Sequence, residues 1–335
     1  PKRETWQAPQ SFLDRMPEVS GNSVNGLGEE EWRKPSPFFW HPPNKQSHGD
    51  LMKYVVTSFR PSDGEDYSYR NPKVDRGPKP IKQAETAVER APEDWTQAIK
   101  HFVLSDEGDD VGITAMSPAY VYEGYEVKEK WAILIAVQHD YDRLSQVPVT
   151  EDNLTGYHEI HQQYNRGARV AARLTNWLRA QGQAASCWPG PYADALLMIP
   201  AAIQAGLGEL GKHGSMIHPQ FGSGFRLAAV TTDAPLIADT PRDFGADDFC
   251  TNCQLCSHAC PPDAIHDEKQ WVRGEKKWYV DFDACIPYFG TQYACGICIA
   301  VCPWTRPGLA DGLITKMARR REAKQKTVSA DRPAD

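Results

Sequence analysis

Eight of the nine cysteines of this 335-residue chain lie between Cys250 and Cys302, and Cys187 alone stands apart. No other feature restricts the fold so tightly. A disulfide scaffold suits short secreted domains that cannot build a core, and a chain of this length has no such need. The spacing is ordered instead. One run reads Cys250-x2-Cys253-x2-Cys256-x3-Cys260-Pro261, and a second reads Cys285-x9-Cys295-x2-Cys298-x3-Cys302-Pro303. Thiols arranged like this are ligands.

The first run has the bacterial ferredoxin spacing of a 4Fe–4S cluster, in which the cysteine before proline serves the other cluster. The second keeps the last three spacings, with its first ligand arriving from farther upstream. Crossing the two gives one set of Cys250, Cys253, Cys256 and Cys302, and another of Cys285, Cys295, Cys298 and Cys260. Zinc sets also use C-x2-C, but they come in fours without an x3-Cys-Pro ending that occurs twice. Two 4Fe–4S clusters side by side conduct electrons. They do not say where the electrons go.

Composition bounds the remainder. Lys and Arg number 37 against 44 Asp and Glu, a net charge of −7 that speaks against general binding of DNA or other nucleic acid. The longest purely apolar run, Trp131 to Val137, is far short of the roughly 20 residues of a membrane-spanning helix. Pro1-Lys2-Arg3-Glu4 leads into polar sequence with no twin-arginine pair and no apolar stretch, so a cytoplasmic protein is expected.

Residues 1–95 are rich in proline and polar residues and predict an irregular wrapping segment with a few short helices. A helix capped by Asp94 follows, then a short strand at Val111–Thr114 and a strand buried on both faces at Ala132–Val137. A long helix is expected from Tyr157 to Ala180, a second from Tyr192 to Ala205 closed by Gly206 and Gly208, and a strand at Leu227–Thr232. This gives an α/β core over residues 96–245, a cysteine unit over 246–308 and a basic tail over 309–335. The tail, with Lys316 and Arg319–Arg321, reads as a solvated helix or disorder.

The segment joining core and cysteine unit is the most distinctive outside the thiols. It runs Gly206-Leu207-Gly208-Glu209-Leu210-Gly211-Lys212-His213-Gly214-Ser215-Met216-Ile217-His218-Pro219-Gln220-Phe221-Gly222, then through Arg226 to Thr231-Thr232-Asp233-Ala234-Pro235-Leu236 and Pro241-Arg242-Asp243-Phe244-Gly245. It resembles the reductive dehalogenase family, cobalamin-dependent iron–sulfur enzymes, most densely from Ser186 to Trp304. The resemblance implies an α+β protein: a nitroreductase-like cobalamin-binding α/β core with a C-terminal bacterial ferredoxin-like double 4Fe–4S domain. Epoxyqueuosine reductases are similar too and share an ending like Cys302-Pro303-Trp304. Gly208, Gly211, Lys212, His213, Gly214, Ser215, Ile217, Pro219 and Phe221 are then the candidate corrinoid-binding residues. Six glycines between Gly206 and Gly224 let backbone approach a large flat ligand; equally, they cap helices and build turns. No Asp-x-His-x-x-Gly motif is present, so a bound cobalt is expected to lack a histidine from that source.

The resemblance also implies a tyrosine that donates a proton, with a cation beside it. Tyr122, after Val111-Gly112-Ile113 and Tyr120-Val121, stands at the matching position, Arg166 at the arginine position, and Lys130 is the candidate lysine. A phenol with a pKa of about 10 is a poor acid at neutral pH unless a cation stabilises the phenolate. Tyr122 is otherwise a core aromatic. His139, His158 and His161 read as surface or core residues and Cys187 as a small buried hydrophobe. The implied reaction is reductive dehalogenation of an organohalide by cob(I)alamin, fed through the two clusters by an external ferredoxin or flavoprotein. Alternatives are an epoxyqueuosine-reductase-like or other cobalamin-dependent reductase or demethylase of an unhalogenated substrate, and a non-catalytic electron carrier.

Overall fold

The computed structural model describes residues 6–59, 61, 65–192, 194–292 and 294–330. The opening Pro1–Glu4, on which the expectation about export rested, lies outside them. In chain order the helices and strands are α1 (Gln10–Leu13), α2 (Gly21–Asn25), α3 (Gly49–Ser58), α4 (Pro92–Ser105), β1 (Asp110–Ala115), β2 (Trp131–Gln138), α5 (Tyr141–Leu144), α6 (Thr155–Ala180), β3 (Ala185–Trp188), α7 (Met198–Gln204), β4 (Glu209–Leu210), β5 (Met216–Ile217) and β6 (Phe225–Thr232). The cysteine-rich part then supplies α8 (Ala246–Asn252), α9 (Leu255–Ala259), β7 (Gln270–Val272), β8 (Glu275–Lys277), α10 (Phe282–Thr291) and α11 (Ile297–Ala300), and α12 (Ala310–Ala330) closes the chain.

The core is a four-stranded sheet in the order β1-β2-β6-β3, antiparallel at every pairing. Strand β2 explains its own apolar run. Side chains alternate across a strand, so Ile133, Ile135 and Val137 meet Trp95, Ile99 and Val103 of α4 and Val170, Leu174 and Leu178 of α6. Ala132, Leu134 and Ala136 point the other way, to Ala201, Ala202 and Ala205 of α7. Helices cover both faces, and fully burying each large aliphatic here contributes about 1.5–3 kcal/mol. Arg169 and Arg173 of α6 pair with Glu107, and Arg173 with Asp106 at 2.7 Å, tying α6 to the turn before β1. The mixed fold expected from sequence is thus present.

Three local expectations differ. Helix α4 starts at Pro92, so Asp94 lies in its first turn with Glu93 rather than capping it. The helix expected from Tyr192 begins only at Met198. Residues before it pair with another chain segment: the Tyr122 N–H donates to Ala195 O at 3.1 Å and the Leu197 N–H to Tyr120 O at 2.7 Å. Tertiary pairing there overrides helical propensity. Gly206, at φ +76°, closes α7 as expected, with its N–H on Ile203 O and that of Leu207 on Ala202 O. The tail is not fully solvated. Met317 is 1% exposed against Gly245, and Arg321 pairs with Asp243 at 2.7 Å and Asp248 at 2.8 Å.

The described residues between 6 and 91 wrap the molecule. Phe12, Phe39, Leu51 and Met52 share a core with Ile286 of α10. The N–H of Gly21 and the side chain of Ser20 hydrogen-bond Asp283. Farther on, Ala84 and Val88 donate to Arg179 O and Gln181 O at the end of α6. Among the described residues no helix is long and apolar enough to cross a membrane.

Candidate functional site

The thiols gather across the sequence order. Cys250, Cys253, Cys256 and Cys302 ring one small void with Lys212, His213, Phe249, Pro303 and Trp304. Cys285 stands with Cys260 and Cys295, and burial together with these neighbours pushes its thiol up to about 12. Burial and the other thiols of its set push Cys302 up to about 12 as well. Such groups ionise only if cationic metal compensates them. Among the described residues no three His, Cys, Asp or Glu close on a point as a single ion requires. Thiols that ring a void suit a polynuclear cluster better than zinc.

Beside the second set lies a cavity with two lobes. One, of about 280 Å³, is lined by Tyr122, Tyr164, Cys187, Trp188, Ser215 and Arg226 among others. The other, of about 380 Å³, is lined by Tyr69, Arg70, His161, Tyr164, Arg226 and Cys295 among others. Tyr164, Pro191, Tyr192 and Arg226 belong to both walls. The second lobe is roofed by the wrapping segment through Trp40, Val55 and Phe59. Arg226 of β6 lies over the Tyr164 ring, 5.0 Å from its centroid, and its buried Nε has no hydrogen-bond partner. Burial, with Arg226 nearby, pushes the His161 imidazole down to about 4. That ring stays neutral at pH 7.

The expected catalytic trio is not brought together. Tyr122 lines the first lobe, with its ring against His41 at 4.3 Å. Burial pushes its phenol up to about 12, opposed by Arg273. Arg166 turns to the other side of α6, where it pairs with Asp109 at 2.8 Å. Lys130 is exposed, its N–H on Asp233 at 3.1 Å. Neither Arg166 nor Lys130 lines either lobe. His161, read from sequence as bystander, lies on the cavity wall. His139 is buried against Glu159 at 3.1 Å, and His158 packs on Tyr67. Cys187 lies on β3 opposite Val230, and burial pushes its thiol up to about 11.

Of the nine residues proposed for corrinoid binding, Ser215 lines the cavity, while Lys212 and His213 line the first thiol void. The β4–β5 hairpin mostly packs on itself. Gly208 lies against Ile217 O, Gly211 against the His213 ring and Ile217, and Gly214 against Val280. Ile217 is fully buried, and Phe221 stacks on His218 at 4.1 Å, with Pro219 between them in the turn. Gly222, at φ +56°, approaches the cysteine unit most closely of these: a Cβ there would stand 2.3 Å from the Trp304 backbone.

Glu209 of β4 accepts from the Ala246 N–H at 2.6 Å, where α8 begins. Burial pushes its carboxyl up to about 7, the Ala246 N–H opposing and Asp243 adding to the rise. The folded state therefore holds a proton that the unfolded chain releases above about pH 4.5, and this group costs stability as pH rises from there to about 7. Glu209→Gln is expected to gain urea midpoint over the wild type at pH 8.5 and less at pH 5.5, both cluster-loaded under argon. An equal gain at the two pH values would rule out the linkage.

Residues 249–305 match the 4Fe-4S dicluster domain family. The chain is 34% identical over 199 residues to a tetrachloroethene reductive dehalogenase of Desulfitobacterium hafniense, covering 55% of this chain and 34% of that protein. It is 35% identical over 156 residues to an epoxyqueuosine reductase of Synechococcus sp. (strain RCC307), covering 45% of this chain and 46% of that one. A solved reductive dehalogenase, described for B12-dependent dehalogenation, superimposes with a TM-score of 0.65 at 26% identity, over 76% of this chain and 38% of that chain. The chain thus spans about a third of the length of the curated dehalogenases it matches.

Proposed function

We propose that this chain, similar in sequence and fold to reductive dehalogenases, acts as a corrinoid-dependent iron–sulfur reductase that replaces the halogen of a small organohalide by hydrogen. One observation carries the reading: Cys295 of the second thiol set and the Tyr164–Arg226 pair face the same two-lobed cavity. The exchange consumes a pair of electrons and a proton and releases halide. A corrinoid, when bound and reduced, supplies electrons from its metal directly beside the substrate. The lining fits such a group in character: its walls carry aromatic and aliphatic side chains, and Arg226 offers an orphaned buried Nε. Ser215, Trp188, Leu197 and Arg226 are the residues that would hold it.

Tyr164 supplies the proton from its hydroxyl. The Arg226 guanidinium, lying over the Tyr164 ring, stabilises the phenolate left behind. His161, held neutral, does not compete for that role. Tyr122, with its phenol driven up by burial that Arg273 only partly opposes, is the poorer donor. An external low-potential ferredoxin or flavoprotein feeds the thiol-bound clusters.

The 35% identity to an epoxyqueuosine reductase supports a second reading, reduction of a modified tRNA base; the net charge of −7 weighs against it. Anaerobic reconstitution with iron, sulfide and cobalamin separates them. Retained cobalt with halide release from a chlorinated phenol or alkene supports dehalogenation. Retained cobalt with reduction of epoxyqueuosine in RNA moves the assignment to the second reading, and iron without cobalt defeats both.

A further inference from the structure

We propose that Lys212 is the counter-charge of the first cluster and holds its reduction potential above that of the second, so that the first fills with electrons before the second. The inference rests on the dicluster reading. Lys212 sits in the turn of the β4–β5 hairpin and is 1% exposed. Its backbone N–H donates to Cys250 Sγ at 3.5 Å, the residue lines the void ringed by Cys250, Cys253, Cys256 and Cys302, and its charge acts on Cys256. The ammonium lies 5.1 Å from the centroid of the Trp278 ring. No carboxylate among the described residues forms an ion pair with it. The nearest arrangement is already committed: Asp247 accepts from Trp278 Nε1 at 2.7 Å through one oxygen and from Lys269 Nζ at 2.6 Å through the other.

A buried ammonium without an anion is unstable. The anion that fits is the cluster itself, because four thiolates on a cubane leave net negative charge. His213, also on the void, does not share the task. Its Nδ1 accepts from the Ser215 N–H at 3.2 Å, so the ring is neutral. The second set has the opposite surroundings: the charges by its thiols are the carboxylates of Asp281 and Asp263. Reduction adds negative charge, which an ammonium in a low-dielectric setting favours and a carboxylate opposes. The two clusters therefore differ in potential by construction. With Cys295 on the cavity wall, the first cluster becomes the store and the second the outlet.

The test is an EPR-monitored redox titration of the reconstituted full chain, with the first-cluster signal assigned beforehand from Cys253→Ala. In the wild type the first cluster is expected to reduce before the second. Lys212→Met keeps the backbone donor and the volume but removes the charge, and should lower the first midpoint alone. Lys212→Arg should preserve it. Reduction of the second cluster first in the wild type overturns the proposal, and so does a fully loaded Lys212→Met with unmoved midpoints. The wild-type order decides the matter even if Lys212→Met fails to load. Absence of two cluster signals in the wild type defeats the dicluster reading instead.

Discussion

Tyr164→Phe is expected to lose turnover by about 10²–10⁴-fold, the range that a positioned proton donor contributes, while keeping its iron and cobalt. The change removes one hydroxyl from a ring that remains under Arg226 at 5.0 Å, so packing and cofactor retention should hold. Tyr122→Phe is the companion variant, expected to stay near the wild-type rate. It lines the first lobe, but burial favours the protonated form of its phenol. Arg226→Met should also slow turnover, because the cation over the Tyr164 ring is gone. The measurement is anaerobic halide release under a low-potential reductant. If Tyr122→Phe loses as much as Tyr164→Phe, the donor has been misassigned.

The second large effect concerns iron content. If the ligand sets cross, Cys250→Ala with Cys302→Ala damages a single cluster, and about half of the iron should remain. Cys250→Ala with Cys260→Ala then strikes both clusters, and most iron should be lost. Grouping by sequence order reverses the two results, because Cys250 and Cys260 would share one cluster and Cys302 would belong to the other. Iron and sulfide per chain, with the EPR of the reduced protein, read the difference directly. A Cys187→Ala control should keep full iron, since its thiol lies in the sheet core beside Val230 rather than among the others.

The thiol spacing, the twice-buried strand and the long helix were legible because each is a local pattern imposed by one geometry. The sheet needs alternation, the helix needs its apolar stripe, and a cluster loop needs short gaps between ligands. The cation proposed to act on Tyr164 was not legible for the same reason. Tyr164 and Arg166 are neighbours in sequence but project about 200° apart around a helix of 3.6 residues per turn. A tyrosine aimed at the cavity therefore sends Arg166 to Asp109 on the opposite side. The partner comes from β6, a separate element, and no spacing rule links residue 164 to residue 226. The glycines of the hairpin are a different case. Most of their close approaches are to the chain itself, which composition cannot distinguish from approach to a ligand. Ala195 and Leu197 sit in a stretch of helical composition but pair with Tyr122 and Tyr120, a contact invisible to local propensity.

The bonds from Gly21 and Ser20 to Asp283 join positions 262 and 263 residues apart. At roughly 5–20 residues per second, the ribosome needs about 13–50 s between making one end of this latch and the other. For that time the segment bearing Phe12 and Phe39 has no α10 to cover, and Cys250, Cys253, Cys256 and Cys260 emerge before α10 does. Iron and sulfide delivery to these thiols thus has an open interval during birth of the chain. Once the N-terminal latch closes over α10, exchange of the second cluster requires its release.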